Sequence, residues 1–549
     1  MKLSRREFTL AALAAGCASP GAASPDLIIH GGPIYTGIAS APRAEALRIS
    51  NGRFVVVGSL SDARANGRGA REINLAGAAA LPGFTDSHVH LTGVGMAAMY
   101  LDLVGVASIA ALQQRLRDYA ANHREGAIIG RGWIETHWPE HRFPTRADLD
   151  AIVGDRPVYL ERIDGHAAVV NSTALALAGI GANTANPSGG AIERDASGAA
   201  TGMLIDNATG LVQSRLPAPT PEMVRQAIAE GARIYASRGW VGICNMSTSL
   251  GESAIFEDLA RSGALPLRAD IYLTPEDSSA VLERGPYGEG LVHVRGVKMY
   301  MDGALGSRGA ALLAPYSDAA SDGLLVTPLD QLRAMLANAR TRGVQVATHA
   351  IGDRGNRLVL DAYRDVFAND PAALRAARWR IEHAQIISPP DISRFASQGV
   401  IASMQPSHAI SDLYFAPSRL GADRLAGAYA WRSLLDTGAV ICAGSDAPVE
   451  KGDPLIEFYA ATYRHDLTGA AGSDWHLDQA VSRDQALAMF TTAAAFATFS
   501  EAERGKIAVG QRADLSAFSA DLMTAPPADI AAAHAVLTVS EGRITHEAP

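Results

Sequence analysis

The chain has 549 residues, of which 48% are hydrophobic and 19% are charged, and its formal net charge is −9. This composition is typical of a globular protein with material for a large core, and the length suits several domains or one large α/β barrel with additions. The acidic balance and the lack of a basic cluster argue against a nucleic-acid partner. No run of about 18 or more apolar residues is present to span a membrane.

The first residues have the layout of an export signal. A basic start precedes a short Ala/Leu-rich segment, and the pair Arg5 and Arg6 followed by Phe8 resembles a twin-arginine leader. We therefore expect residues 1–24 to be an export signal and the protein to be periplasmic or outer-surface. Cys17, in LAAGC, is a candidate site for a lipid anchor, and cleavage after the small residues that follow it is the alternative.

Short strand-like segments with glycine-rich turns occur at both ends of the remaining chain, for example DLIIHGGPIYTG and HAVLTVSEGRITH. They predict that residues 25–80 and 500–549 together build one small β-structure. Between them, in residues 81–499, apolar runs alternate with Ala-rich helical stretches, which is typical of a parallel barrel or a doubly wound sheet. Inserted segments are expected around residues 105–240.

Eight strand candidates occur in the middle of the chain, and polar residues gather at their ends. The candidates are ALPGFTDSHVH, VYLERIDGH, WVGICNMS, VRGVKMYMDG, VQVATHAIGD, WRIEHAQ, VIASMQPSH and AVICAGSDAP. Eight is the number that a (β/α)8 barrel requires, and the carboxyl ends of its strands form the catalytic face. Polar residues at those ends therefore predict a barrel active site.

Four histidines and one aspartate at these strand ends form a candidate metal site. His88 and His90 are two residues apart on a strand, so their imidazoles point to the same side. His349, His383 and Asp446 each end a strand of their own. Five nitrogen and oxygen ligands exceed the set of one tetrahedral zinc ion, and they suit two divalent ions about 3.5–4 Å apart that share a bridging group.

Lys298 is a charged residue near the end of the apolar run GVKMYM. Lysine is almost never fully buried without a partner. Three interpretations are open from the residues alone: a side chain that reaches the barrel rim, an ion pair with Asp302 in a site with one metal ion, or a lysine that is chemically converted into an acid.

Five separated motifs occur in an order that resembles a known family. LPGFTDSHVH, VKMYMDGALGSRG, ATHAIGD, RIEHAQ and GSDAP are similar to motifs of the metal-dependent amidohydrolase superfamily. The resemblance is to its amidohydrolase-3 branch, whose members are similar to N-substituted formamide deformylase. It implies an α/β fold, a (β/α)8 TIM-type barrel with a small β-sandwich from both chain ends.

The resemblance also implies roles for the candidate ligands. His88 and His90 would bind the more buried metal ion, and His349 and His383 the more exposed one. Asp446 would ligate the first ion and accept a proton from the hydrolytic water.

At the position of Lys298, members of the superfamily carry a lysine that CO2 has carbamylated and that bridges the ions. The chemistry is reasonable, because a buried amine tends to lose its proton and can then add CO2. One or two divalent ions are expected, with Zn2+ as the first candidate for a histidine-rich site.

Six further residues are candidates for substrate contact. Arg308 suits an anion or carbonyl clamp, with a loop-fixing ion pair as the alternative. Trp133 lies in a turn-rich stretch that is typical of a lid or pocket wall, or of a packed loop. The complete set is Trp133, Asp164, His166, Asp302, Arg308 and His408.

The predicted function is a metal-dependent hydrolase that cleaves C–N bonds of amide type, other than peptide bonds, by metal-activated hydroxide with an aspartate general base. Lactone, ester or carbamate hydrolysis at the same metal centre is the alternative, because an activated hydroxide attacks any polarised carbonyl. An exported binding protein without turnover is a third hypothesis. The expected partner is a small-molecule substrate, and a homodimer is the candidate oligomeric state.

Overall fold

The computed structural model describes residues 26–65, 67–135, 138–163, 165, 167–187, 190–467 and 475–549. Their strands form three sheets: a parallel barrel, a sheet inserted after the first barrel strand, and a sheet shared by both ends of the chain. Within this described part, no helix is both long and apolar enough to cross a bilayer.

Eight parallel strands form the barrel, and each pairs with the next in chain order. They are β1 Phe84–Val89, β2 Trp240–Thr248, β3 Arg268–Leu273, β4 Val292–Tyr300, β5 Gln345–Ala350, β6 Arg380–His383, β7 Ile401–Met404 and β8 Ile441–Ala443. The short strand Tyr287–Glu289 pairs antiparallel with β4. The backbone N–H of Asp446 donates to the carbonyl of His88 at 2.7 Å, which brings the end of β8 back to β1. The predicted (β/α)8 barrel is therefore confirmed.

Helices follow the barrel strands, and local sequence sets their ends. Ser249 and Glu252 form a reciprocal capping box at the start of Leu250–Arg261. Gly239, with φ +105°, ends Pro221–Arg238 in the left-handed conformation that glycine adopts without strain. The other helices of this region are Leu91–Met99, Ser279–Arg284, Leu329–Thr341, Asp353–Val366, Pro371–Ala377, Pro389–Gln398, Pro406–Ser411, Ala416–Leu420, Trp431–Asp436, Pro454–Tyr463, Arg483–Phe490, Thr492–Ala497 and Pro527–Ala532, with 3-10 turns at Asp412–Tyr414, Ala422–Gly427 and Leu477–Gln479.

A second sheet is inserted between β1 and β2. Its strands are Leu101–Asp102, Ile128–Trp133, Val158–Arg162, Ala167–Val170, Gly190–Arg194 and Ala200–Asp206. The helices Ile109–Asn122, Arg146–Asp150, Ser172–Leu177 and Thr209–Gln213 accompany it. Buried apolar residues, Trp133 and Trp138 among them, give the insertion a core separate from that of the barrel.

The predicted barrel strands included one wrong member and lacked one true member. VYLER forms Val158–Arg162 in the inserted sheet, not a barrel strand. The missing strand is β3, whose sequence RADIYL contains Arg268 and Asp270. Both charges are buried in ion pairs, Arg268 with Asp514 and Asp270 with Arg295. A strand with paired internal charges lacks the continuous apolar run that marks a buried strand, so the apolar pattern does not predict β3.

Both ends of the chain build the third sheet. Its strands are Leu27–Tyr35, Arg43–Ser50, Arg53–Gly58, Arg71–Asn74, Ala79–Pro82, Leu515–Phe518, Ala535–Ser540 and Arg543–Glu547. Ala79–Pro82 pairs antiparallel with Leu515–Phe518 and so joins the two ends. The short helix Leu60–Ala65 follows Arg53–Gly58. One apolar core includes residues from both ends, as expected from the similar sequence texture of the two segments.

Candidate metal centre

The six predicted metal-site residues come together at the carboxyl ends of the barrel strands. His88 and His90 end β1, and Lys298 lies near the end of β4. The other three, at the ends of β5, β6 and β8, are His349, His383 and Asp446. His88, Lys298, His383 and Asp446 are all buried. The six candidate metal-site residues therefore lie together at one face of the barrel.

Three of these residues form the tightest group. His88, His383 and Asp446 each offer a ligand atom, and these atoms lie within 4.8 Å of one another. Asp446 Oδ1 is 3.5 Å from His88 Nε2 and 3.3 Å from His90 Nε2. The rings of His383 and His349 are neighbours, with centroids 4.5 Å apart. His88, His90 and His383 therefore lie around the Asp446 carboxylate, and His349 lies beside His383.

When these histidines are neutral, their hydrogen-bond partners decide which ring nitrogen carries the proton. His88 Nδ1 donates to Glu382 at 2.6 Å, and His90 Nδ1 donates to the carbonyl of Met246 at 3.1 Å. His383 Nδ1 donates to Gln405 Oε1 at 2.8 Å. An acceptor on one nitrogen places the lone pair on the other.

His349 also has a ring nitrogen that faces an acceptor, but the contact is longer: its Nε2 lies 3.5 Å from the carbonyl oxygen of Gly303. Burial, with the nearby Lys298 charge, lowers the pKa of His88 to about 4 and that of His349 to about 3. Burial also holds the pKa of His383 well below its usual value. Neutral imidazoles with free lone pairs and an ionised carboxylate are the donor set of a divalent metal ion, so the residues fit one.

Lys298 is buried within this group. Its side chain is 1% exposed, and Nζ lies 3.3 Å from His88 Nε2 and 5.0 Å from the centre of the Tyr300 ring. Burial lowers its pKa to about 8. Among the described residues, no carboxylate lies within 4.0 Å of Nζ, so the structure supports neither the rim position nor the ion pair with Asp302.

Asp302 instead organises two loops. Its carboxylate accepts the backbone N–H groups of Ala311, Ile351 and Gly352 at 2.8, 2.9 and 2.8 Å. Burial raises its pKa to about 7. Because one oxygen also lies 3.6 Å from His349 Nε2, Asp302 holds the loops beside this histidine and is not placed as a free substrate ligand.

A buried ion pair positions His88, and it was not predicted from the sequence. Arg380 donates two hydrogen bonds to Glu382, at 2.7 and 2.9 Å, and Glu382 accepts from His88. Although burial opposes ionisation, the Arg380 charge and the His88 hydrogen bond lower the pKa of Glu382 to about 2. The signal was available, since Arg380 and Glu382 are charges two residues apart on a fully buried strand and therefore face the same side.

We expect Glu382→Gln to weaken zinc binding about 10–100-fold, the usual cost of losing the partner of a metal-bound histidine. The neutral amide is a weaker acceptor for His88 and leaves Arg380 without its counter-charge. Zinc affinity by competition with a chromophoric chelator measures the effect. Glu501→Gln is the matched control, because Glu501 pairs with Arg378 at the surface. An unchanged affinity in a folded Glu382→Gln protein would contradict this positioning role.

Asp86 fixes the seam between β1 and β8. Its carboxylate accepts from the backbone N–H groups of His88 and Ser445, both at 3.0 Å, from the Ser445 hydroxyl at 2.6 Å and from the Tyr235 hydroxyl at 3.1 Å. Asp446 follows Ser445 in the chain, and its φ of +58° lies in the left-handed region. A non-glycine residue with this φ is uncommon, and here the Asp86 hydrogen bonds secure the turn that presents Asp446.

The remaining predicted contacts have different outcomes. His408 lies at the centre, with Nε2 buried without a hydrogen-bond partner and 3.7 Å from Asp446 Oδ2. Arg308 is half-buried and pairs with Asp318 at 2.9 Å, which is the loop-fixing alternative. Trp133 is fully buried in the core of the inserted sheet, where its indole N–H donates to the carbonyl of Leu160, so it is not placed as a pocket wall. Asp164 and His166 lie outside the described residues.

A parallel (β/α)8 barrel with a buried histidine–aspartate cluster at its strand ends is the arrangement of a metal-dependent hydrolase. The chain is similar over its whole fold to a solved structure described as an uncharacterized metal-dependent hydrolase from Pyrococcus horikoshii OT3. The TM-score is 0.77 and the identity 28%, and the match covers 91% of this chain and 99% of the other.

Comparison of sequences identifies the family. The model of the amidohydrolase family matches residues 71–546, so the chain belongs to this family. It is 34% identical to Putative amidohydrolase YtcJ of Bacillus subtilis (strain 168), over 95% of this chain and 99% of that protein. It is 26% identical to N-substituted formamide deformylase of Arthrobacter pascens, over 95% of this chain and 98% of that protein. The chain is a metal-dependent hydrolase of the amidohydrolase family.

Proposed function

We propose that this hydrolase cleaves C–N bonds of amide type, other than peptide bonds, in small molecules. The relationship to N-substituted formamide deformylase over nearly the full length of both chains is the observation that carries this choice of bond. All six candidate ligands are present at the strand ends. This argues against a binding protein without turnover, because a protein that had lost catalysis should also have lost at least one of these residues.

One or two divalent ions, zinc first, would be held by His88, His90, His349, His383 and Asp446, and when bound would supply the Lewis acidity that activates water and polarises a carbonyl. Asp446 is the group that would handle the proton. Its carboxylate is 10% exposed and lies between the rings of His90 and His408, where it can accept a proton from water and return it to the leaving amine.

We propose that Lys298 carries a carbamate derived from CO2. The unprotonated amine nitrogen would form a bond to the carbon of CO2 and release one proton, which leaves an anion with two oxygen donors. Support comes from the burial of Nζ, from the lowered pKa of about 8, and from its position 3.3 Å from a ligand nitrogen of His88. The anion would offset the charge of the ions, as a carboxylate does.

Export is a separate proposal. The Arg5–Arg6 leader supports it, and residues 1–24 and the candidate lipid-anchor site Cys17 lie outside the described residues. Mass spectrometry of the mature amino terminus in the native host checks it. A cleaved leader in the periplasmic fraction is expected, and an intact start in the cytoplasm would contradict it.

A comparative activity screen tests the bond type. Purified protein reconstituted with zinc is assayed on N-formyl amines, N-acyl amino acids, lactones and aryl esters under the same conditions. We expect the highest kcat/KM for an amide-type substrate. A clear preference for lactones or esters would favour the alternative hydrolase, and no turnover of any class by metal-loaded protein would favour a binding protein.

A further inference from the structure

A cleft of about 710 Å3 lies between the inserted sheet and the helix that follows His90. One wall is the helix Leu91–Met99, and the other is formed by Ile128–Trp133 and Val158–Arg162 of the inserted sheet. The volume is within the range of about 300–1,000 Å3 that small-molecule sites occupy. The metal-site residues do not line this cleft, and the mechanism outlined above makes no use of it.

Two residues of the cleft lining stand within three positions of candidate metal ligands. Gly93, three residues after His90, and Pro448, two residues after Asp446, both line it. A Cβ atom on Gly93 would lie 3.0 Å from Pro448 Cδ and 3.8 Å from His90 Cβ. Residues next to His90 and Asp446 in the sequence therefore also line the cleft.

The described lining is mostly apolar and carries no net charge. Its two charged residues, Arg131 and Glu161, face each other at 3.2 Å. Arg131 also donates to the carbonyl of Pro448 at 2.8 Å, which ties the inserted sheet to the loop that carries Asp446. Its apolar lining residues include Met96, Ala97, Ile129, Leu216 and Pro448.

The lining also contains the uncharged polar side chains of Tyr100, Tyr159, Gln213 and Ser214. Tyr159 lies among the lining residues, and its hydroxyl accepts from Gln213 Nε2 at 2.8 Å. Burial raises the pKa of Tyr159 far above neutrality, so this group stays an uncharged hydroxyl. A paired charge, uncharged polar groups and a mostly apolar surface favour an uncharged guest over an ionic one.

We propose that this cleft binds the bulky, uncharged and apolar substituent of the substrate, of at least phenyl size, while the amide bond lies at the metal centre. The inference rests on the proposed function and names its substrate class: amides with a large hydrophobic group, rather than charged N-acyl amino acids. The inserted sheet then determines which substituents of the substrate the barrel site accepts.

The test places a bulky side chain in the cleft by substitution on the helix Leu91–Met99. Ala97 lines it, whereas the neighbouring Ala98 is exposed and does not, so Ala97→Trp and Ala98→Trp form a matched pair on one helix. The probes are N-benzylformamide and N-methylformamide. We expect Ala97→Trp to lower kcat/KM for the benzyl compound by about tenfold or more, because loss of an apolar pocket is costly for a group that fills it. The methyl compound should change by less than about twofold in both variants.

Measurements of turnover and of binding together test two hypotheses separately: that the cleft is a substrate subsite, and that the enzyme hydrolyses formamides. An equal effect of Ala97→Trp on both probes, or no effect on the benzyl compound, would overturn the cleft as a subsite. If neither probe is hydrolysed by the metal-loaded wild type, the formamide hypothesis of the function fails, and calorimetric binding of N-benzylformamide decides the cleft alone. Binding that is about tenfold weaker in Ala97→Trp than in Ala98→Trp supports it; equal binding overturns it.

Discussion

Lys298→Ala is expected to remove most of the hydrolytic activity and at least one equivalent of bound metal. The residue is buried beside a ligand nitrogen of His88, and the proposed carbamate would be lost with the amine. The effect should exceed the cost of about 10–100-fold that the loss of an indirect metal partner produces. Metal content and kcat/KM, measured on the same preparation, check the prediction. Lys506→Ala, at an exposed lysine, is the control.

Small carboxylic acids sharpen this test. Acetate or propionate can enter the space left by the lysine side chain and supply two oxygen donors, so partial recovery of activity is expected for Lys298→Ala alone. Full activity of the variant without added acid would contradict the bridging role.

Asp446→Asn is expected to lower kcat by about 10²–10⁴-fold, the usual contribution of a general acid–base group. The amide keeps an oxygen donor near His88 and His90 but cannot accept the proton of water. Steady-state kinetics and metal analysis separate the two roles, because metal retention with lost turnover identifies the proton-transfer role. Asp423→Asn, at an exposed aspartate, is the matched control.

An Asp446→Asn variant that still hydrolyses substrate at more than about a tenth of the wild-type rate would exclude Asp446 as the base. His408, whose Nε2 is buried and lies 3.7 Å from the same carboxylate, would then be the next candidate.

The barrel and its site could be predicted because their signals are local. Buried parallel strands appear as apolar runs, and a reactive residue at the end of such a run lies at the catalytic face whatever the rest of the fold does. His349 after QVAT and His383 after RIE were placed in this way.

Membership of a sheet is set by distant partners, and here local reasoning failed. Val158–Arg162 looks like a barrel strand but pairs with Ile128–Trp133 in the insertion. β3 contains Arg268 and Asp270, whose charges are matched by Asp514 and by Arg295 and Arg504. A local sequence pattern does not predict ion-pair or strand partners that lie far along the chain.

The same limit applies to single side chains. Arg380 and Glu382 stand in the predicted motif RIEH, but their role depends on the contact with His88 across the barrel. The turn-rich sequence around Trp133 is typical of a pocket wall or of a packed loop, and the packing of the inserted sheet buries this side chain. A turn-rich composition does not specify which side chains of a segment are covered by the rest of the fold.

Metal analysis of the purified protein tests the central claim most directly. Protein prepared without chelators is assayed by inductively coupled plasma mass spectrometry alongside hydrolysis of the best substrate of the screen. We expect one to two transition-metal ions per chain, loss of metal and activity together on treatment with dipicolinate, and recovery of both with zinc. A His88→Ala variant should bind less metal. A metal-free protein that keeps its full hydrolytic rate would contradict a metal-dependent centre at these strand ends.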